Sequence, residues 1–229
     1  MLLITLASFI ALQWPTLATP WGSGRGGSPP TVTVKNGTYI GRYLPQYDQD
    51  LFLGMPYAQP PVGNLRFTVP QSLNTSWRGT RPAEEYSVEC VGYGSDQWNY
   101  NVSEDCLYIN VIRPSGYEGQ ELPVAFWIHG KRHVLVHIRN LTVQIGGGFT
   151  EGGGVDQRYN LSFMVKNSIT IGKPIIGVSI NYRISIWGFL AGIEVLGSGN
   201  SNLGLRDQRL AMHWVQENIQ AFGGKLKSQ

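Results

Sequence analysis

Pro123-Val124-Ala125-Phe126-Trp127-Ile128-His129-Gly130 is a short apolar run, rich in aromatic and β-branched residues, that ends in glycine. Apolar on both faces, it reads as a strand of a covered parallel sheet. The chain then passes through Lys131 to Ile145, a stretch of different character, and resumes as Gly146-Gly147-Gly148-Phe149. Without that stretch and one flanking glycine, His129, Gly147, Gly148 and Phe149 fall into one strand–glycine turn. A buried strand that ends this way presents backbone N–H groups to an oxyanion.

Outward from that strand the pattern stays mixed. Thr31 to Val34 alternates, Asn36-Gly37 predicts a type I′ hairpin, and Thr38 to Arg42 is the returning strand. Leu51 to Tyr57 is an apolar strand ended by proline, and Ala58 to Gly63 is turn-rich. Cys106 to Pro114 alternates like a half-buried strand. Ile175 to Ile180 is a second strand apolar on both faces. Leu205 to Phe222 carries apolar residues at helical spacing, including Leu210, Trp214, Val215, Ile219 and Phe222. Ser201 or Asn202 is placed to cap that helix, and Gly223-Gly224 to end it. An antiparallel opening followed by buried strands and a helix predicts an α/β fold with a mixed, mostly parallel sheet.

Composition bounds the function. The 229 residues suit one domain or part of a larger one, and 42% hydrophobic content supports a core. Leu2 to Leu12 is too short to span a bilayer. With Thr16-Leu17-Ala18 it reads as a signal peptide over residues 1–18, against the alternative of a buried N-terminal helix. Residues 19–30 form a Gly/Ser/Pro-rich lead-in. Secretion agrees with sequons at Asn36, Asn74, Asn101 and Asn160, and with one at Asn140 inside the odd stretch. The two cysteines, Cys90 and Cys106, suit one disulfide in an oxidising compartment, worth about 3 kcal/mol for a loop of this size. Two free buried thiols are the other reading. No His or further Cys sits at ligand spacing, so no metal site and no cofactor are expected.

Several blocks together resemble the type-B carboxylesterases and lipases, a family that includes cholinesterases and secreted fungal lipases. They are Gly54 to Phe67 (GMPYAQPPVGNLRF), Glu104 to Val111 (EDCLYINV), the strand and glycines quoted above, Asn181-Tyr182-Arg183 with Trp187 to Leu190, and Gly199 to Gly224. They keep the family's order over most of residues 31–224, outside the odd stretch. The resemblance implies an α/β-hydrolase fold and ester hydrolysis by a serine nucleophile. It implies ester or lipid substrates and no nucleic-acid partner or stable membrane insertion, and it leaves oligomeric state open. Carried onto this sequence, it makes Gly147 and Gly148 oxyanion-hole donors and Cys90–Cys106 a family disulfide. It makes Arg66–Glu104 and Arg183–Asp207 structural ion pairs, costly to break where buried. The Cys90 to Cys106 region, with Tyr93, Trp98 and Tyr100, resembles the position of a lid loop. Capping a lipid-binding cleft and packing on the body both suit it.

The sequence also departs from the family. After Phe222-Gly223-Gly224 it reads Lys225-Leu226-Lys227-Ser228-Gln229, and no G-x-S-x-G occurs in the 229 residues. The triad acid and histidine normally follow the nucleophile. None of the four histidines takes that role: His129 belongs to the glycine turn, His133 and His137 to the odd stretch, His213 to the helix. This stretch of chain is therefore expected to be inactive by the family mechanism.

Residues 131–145 and 225–229 both start with lysine after glycine, and Gly-Lys is encodable with a GTAAG splice donor. Translated introns are one reading of both segments, and a genuine surface insertion is the other. Together they hold five positive charges and no negative ones. Removing the five takes the net charge from +3 to −2, so the basic balance implies no anionic partner. The insert is expected to detach the glycine turn from its strand. Three functional readings follow: part of an esterase or lipase, a non-catalytic binding relative of the same fold, or a product that does not fold stably because its sheet edges are exposed.

Overall fold

The structure, a computed structural model, describes residues 28–130, 134–138, 141–145 and 148–225. The signal peptide, Asn140, Gly147 and residues 226–229 lie outside them.

β1 (Thr31–Val34) and β2 (Gly37–Ile40) form the first hairpin. Pairing begins at Val34 opposite Gly37, so the loop is Lys35-Asn36 and not Asn36-Gly37. Asn36 also has no positive φ, which a type I′ turn requires. A distant segment sets the turn instead. Asn36 Nδ2 donates to Thr75 O (2.7 Å), and Trp77 N donates to Asn36 O (3.0 Å). The Trp77 ring then lies where a Cβ on Gly37 would be, 2.3 Å away, so only glycine fits there.

The main sheet begins with β3 (Arg42–Leu44) and β4 (Gln49–Pro56). β5 (Thr80–Pro82) extends the small sheet of β1 and β2, while β6 (Glu89–Cys90) and β7 (Val102–Ser103) pair with each other. β8 (Tyr108–Pro114), β9 (Val124–Ile128), β10 (Val134–Ile138), β11 (Leu141–Ile145) and β12 (Ile176–Ile180) complete seven strands in the order β10-β11-β9-β12-β8-β4-β3. Pairing is parallel on both sides of β9 and antiparallel from β12 through β3. β8 is buried on both faces, not half-buried, because it lies inside the sheet between β12 and β4.

Helices cover both faces. α1 (Ser162–Thr170) lies on the connection from β11 to β12, and its Val165 packs with Leu161, Leu51, Leu53, Ile112 and Trp127. α2 (Ser185–Phe189) and α3 (Ile193–Gly197) are short. α4 (Leu203–Asn218), followed by a 3-10 turn at Ile219–Phe222, covers the opposite face. Its Ala211, Trp214 and Val215, with Ile219 and Phe222, join Phe52, Phe126, Ile128 and Val178 in the larger core. Asn202 is the N-cap of α4, but its side chain makes no capping bond; its backbone O accepts from Leu205 and Arg206. Gly223 ends the helix with φ 87°. Among the described residues no helix is long and apolar enough to cross a membrane.

Candidate active site

Parallel strands of an α/β sheet place ligand sites at their C-terminal ends. Here β9 is followed directly by His129, and β12 by Asn181-Tyr182-Arg183. His129 stacks on Tyr182 with ring centroids 4.3 Å apart, and Tyr182 Oη donates to His129 O (3.1 Å). The glycine loop returns to this point. Phe149 meets Tyr182 edge-on at 6.4 Å and lies 4.4 Å from Phe189, and Phe149 O accepts from Ser185 N (2.5 Å).

The insert therefore does not detach the loop from its strand. β11 runs parallel to β9 and ends with Ile145 opposite Ile128, which delivers the chain back to the level at which it left. Gly148 is exposed, and a Cβ on it would meet only Thr150 Oγ1, at 3.8 Å. Gly147 lies outside the described residues.

Behind Gly148, the run Gly152-Gly153-Gly154 presses the loop onto the sheet. A Cβ on Gly154 would lie 2.7 Å from Ile180 O, and one on Gly153 2.7 Å from Glu89 Cγ. Asn181 fixes this approach. Its Oδ1 accepts from Gly154 N (2.7 Å), its Nδ2 donates to Val88 O (2.7 Å), and its backbone O accepts from Tyr57 Oη (2.8 Å). The glycine run is visible in the sequence; the anchoring role of Asn181 is not, because its partners are far away in the chain.

Two buried titratable groups flank the loop. His129 makes no side-chain hydrogen bond through either ring nitrogen among the described residues, and burial lowers its pKa to about 3. Neither Glu89 oxygen has a hydrogen-bond partner there. Burial, then the Asp156 and Asp96 carboxylates, push Glu89 up to about 7. Nearby Gln97 directs its Nε2 to Cys90 O instead. His129 is thus a neutral stacking group, with neither the partner nor the pKa of a working base.

The disulfide loop closes over one side. Cys90 and Cys106 are bonded, and Tyr93 N donates to Thr150 O (2.7 Å), tying this loop to the glycine loop. Asp96 N donates to Glu151 Oε2 (3.2 Å), and Tyr100 Oη to Asp156 Oδ1 (3.3 Å). The Tyr93 ring rests 5.8 Å from Trp187, whereas Trp98 stands 83% exposed. Tyr100 thus packs on the body, Tyr93 leans on Trp187 but stays largely exposed, and Trp98 faces outward.

The ion pairs differ in burial. Arg183 binds Asp207 through Nε–Oδ2 (2.8 Å) and Nη2–Oδ1 (2.7 Å) and donates to Thr68 O (3.0 Å), with side chains 4% and 0% exposed. Arg66–Glu104 is a surface contact whose arginine is 49% exposed, so its loss costs little. A second buried pair, Arg113–Asp50 (3.0 Å), joins residues opposite each other in β8 and β4. The sequence does not announce it, because only strand register brings the two together. Among the sequons, Asn74 and Asn101 are exposed, while Asn36 and Asn160 are half-buried. Asn160 Oδ1 accepts from Ser162 N (3.0 Å), and Ser162 is fully buried. No group of side chains among the described residues is arranged to hold a metal.

The carboxylesterase family model matches residues 28–228. Lipase 4 of Diutina rugosa is 38% identical over 217 residues, which is 85% of this chain and 36% of that protein. Secreted lipase 1 of Botryotinia fuckeliana (strain B05.10) is 38% identical over 219 residues, covering 85% of this chain and 34% of that one. Among solved structures, EstA of Aspergillus niger superposes with TM-score 0.69 at 35% identity, covering 86% of this chain and 34% of its own. A PNB esterase superposes with TM-score 0.68 at 34% identity, covering 86% and 36%. The chain spans about a third of the length of these relatives.

Proposed function

The chain belongs to the carboxylesterase family, and from that premise we propose that it is the oxyanion-binding portion of a secreted serine ester hydrolase acting on carboxylic ester or lipid substrates. In this reading the N–H groups of Gly147 and Gly148 stabilise the negative charge that develops on the ester carbonyl oxygen during attack. Losing one such donor typically costs about 10²–10³ in rate. The observation that carries it is the anchoring of the loop behind Gly148 to the ends of β9 and β12 by Asn181 and the His129–Tyr182 stack.

The nucleophile, acid and catalytic histidine are not among the 229 residues, so this segment by itself turns over no ester. The leader-like start and the sequons support the secreted reading. We read residues 131–145 and 225–229 as translated introns; codons at Gly130-Lys131 and Gly224-Lys225 without a GT donor would exclude that origin. The catalytic reading is tested by removing residues 131–146, which leaves His129-Gly130-Gly147-Gly148-Phe149, and joining Gly224 to the remaining two thirds of a fungal lipase relative. The joined chain should hydrolyse p-nitrophenyl esters, and Gly148→Pro, which removes the N–H, should slow it by about 10²–10³. Full activity in Gly148→Pro would remove Gly148 from the oxyanion hole.

A further inference from the structure

β9 has two edges. Pro123 O accepts from Ile176 N (2.9 Å), so residue 123 faces β12. Backbone groups alternate along a strand, so residues 122, 124, 126 and 128 face the other edge. Two segments of the chain meet that edge. Leu122 N donates to Gly223 O and Leu122 O accepts from Lys225 N (both 2.8 Å), in a parallel bridge of Leu122 with Gly224. Higher on the same edge, β11 pairs in parallel with Leu141 opposite Val124, Val143 opposite Phe126 and Ile145 opposite Ile128.

The register of the bridge extends in one way. With Gly224 opposite Leu122, two further residues bring position 226 opposite Val124, and four bring position 228 opposite Phe126. Those places hold Leu141 and Val143. One strand edge accepts one strand. We propose that the hairpin β10–β11 is a self-complementing plug. It occupies the β9 edge onto which the polypeptide following Gly224 is directed, and the two are mutually exclusive partners of β9. The partner that this edge fits is a parallel strand entering from the Leu122–Gly224 bridge. The inference rests on backbone register alone, so it stands or falls independently of the catalytic reading and of how residues 131–145 arose.

An uncovered edge of this kind is an association hazard, because Val124, Phe126 and Ile128 are core residues whose backbone groups would lack partners. The plug removes that hazard for as long as no strand follows Gly224.

Amide hydrogen exchange of the whole chain tests this. The Val124, Phe126 and Ile128 amides should be protected, and Gln144→Pro, which removes the N–H that faces Phe126 O, should speed their exchange at least about a hundredfold while Val178, inside the sheet, stays protected. Replacing Leu226–Gln229 by Val-Thr-Val-Thr-Val should restore protection in Gln144→Pro. In the otherwise unaltered chain the same extension should make residues 141–145 exchange quickly. Should Gln144→Pro lose Val178 protection, deletion of residues 131–145 replaces it, with the same rescue by the extension expected. Fast exchange at Phe126 in the unaltered chain, failure of the extension to restore protection, or continued protection of residues 141–145 beside the extension would each overturn the proposal.

Discussion

His129 and Tyr182 stack at 4.3 Å where two parallel strands end, and the same tyrosine hydroxyl holds the His129 carbonyl. The stack closes the floor beneath the glycine loop with an imidazole that has no polar side-chain partner among the described residues. Because its folded pKa, about 3, lies below its ordinary value, folding disfavours the protonated form. The stability that depends on neutral His129 is complete above pH 6.5 and is lost as pH falls toward 3. His129→Phe keeps the stack and abolishes this loss. Relative to the parent it should gain about 1.4 kcal/mol per pH unit between pH 6 and 4, read from urea unfolding midpoints.

Glu89 runs the other way. Its folded pKa, about 7, lies above its ordinary 4.5, so its burial is best tolerated below pH 4.5 and becomes destabilising as pH rises to 7. Across pH 4.5–6.5 the two groups oppose each other and flatten the pH profile. Glu89→Gln should raise the melting temperature at pH 8, leave it nearly unchanged at pH 4.5, and reveal the His129 slope. A parent whose stability varies with pH as that of Glu89→Gln does would contradict this assignment.

The ion pairs should separate by burial. Asp207→Asn strands the Arg183 guanidinium inside the protein and should cost about 3–5 kcal/mol. At this size that is a fall in Tm on the order of 2–4 °C per kcal/mol. Glu104→Gln touches a solvent-exposed pair and should leave the melting temperature nearly unchanged. Differential scanning fluorimetry of both variants decides the ranking.

Glycans should follow exposure more than sequon count. On expression through a eukaryotic secretory pathway, Asn74 and Asn101 should be occupied. Asn36, bonded to Thr75 O, and Asn160, bonded to Ser162 N, should be largely empty. Peptide mass spectrometry with and without glycosidase reads this site by site.

Much of the fold is legible in the residues. β4, β9 and β12 announce themselves as apolar runs bounded by glycine or proline, and α4 by its spacing from Leu210 to Phe222. Local pattern fails where long-range contact decides. The Lys35-Asn36 loop is set by Thr75 and Trp77, the Asp50–Arg113 pair by register, and Asn181 by three partners from separate elements. The insert misleads most. Read along the chain, residues 131–145 separate the glycines from their strand; folded, β11 runs alongside β9 and returns the chain to where it left. At the site, the sequence points to Gly148, but the burial of Glu89 and His129 without hydrogen-bond partners among the described residues depends on packing no motif encodes.

We propose that Gly147 and Gly148 are oxyanion donors whose serine nucleophile is not among these 229 residues. A fluorophosphonate probe, which labels only an activated serine, tests it most directly. Two proteins are compared: the 229-residue chain, and the same chain without residues 131–146 joined after Gly224 to the rest of a fungal lipase relative. The first should show no labelling, and the second stoichiometric labelling with ester turnover. Labelling of the 229-residue chain, or a folded joined protein that neither labels nor hydrolyses, would contradict it.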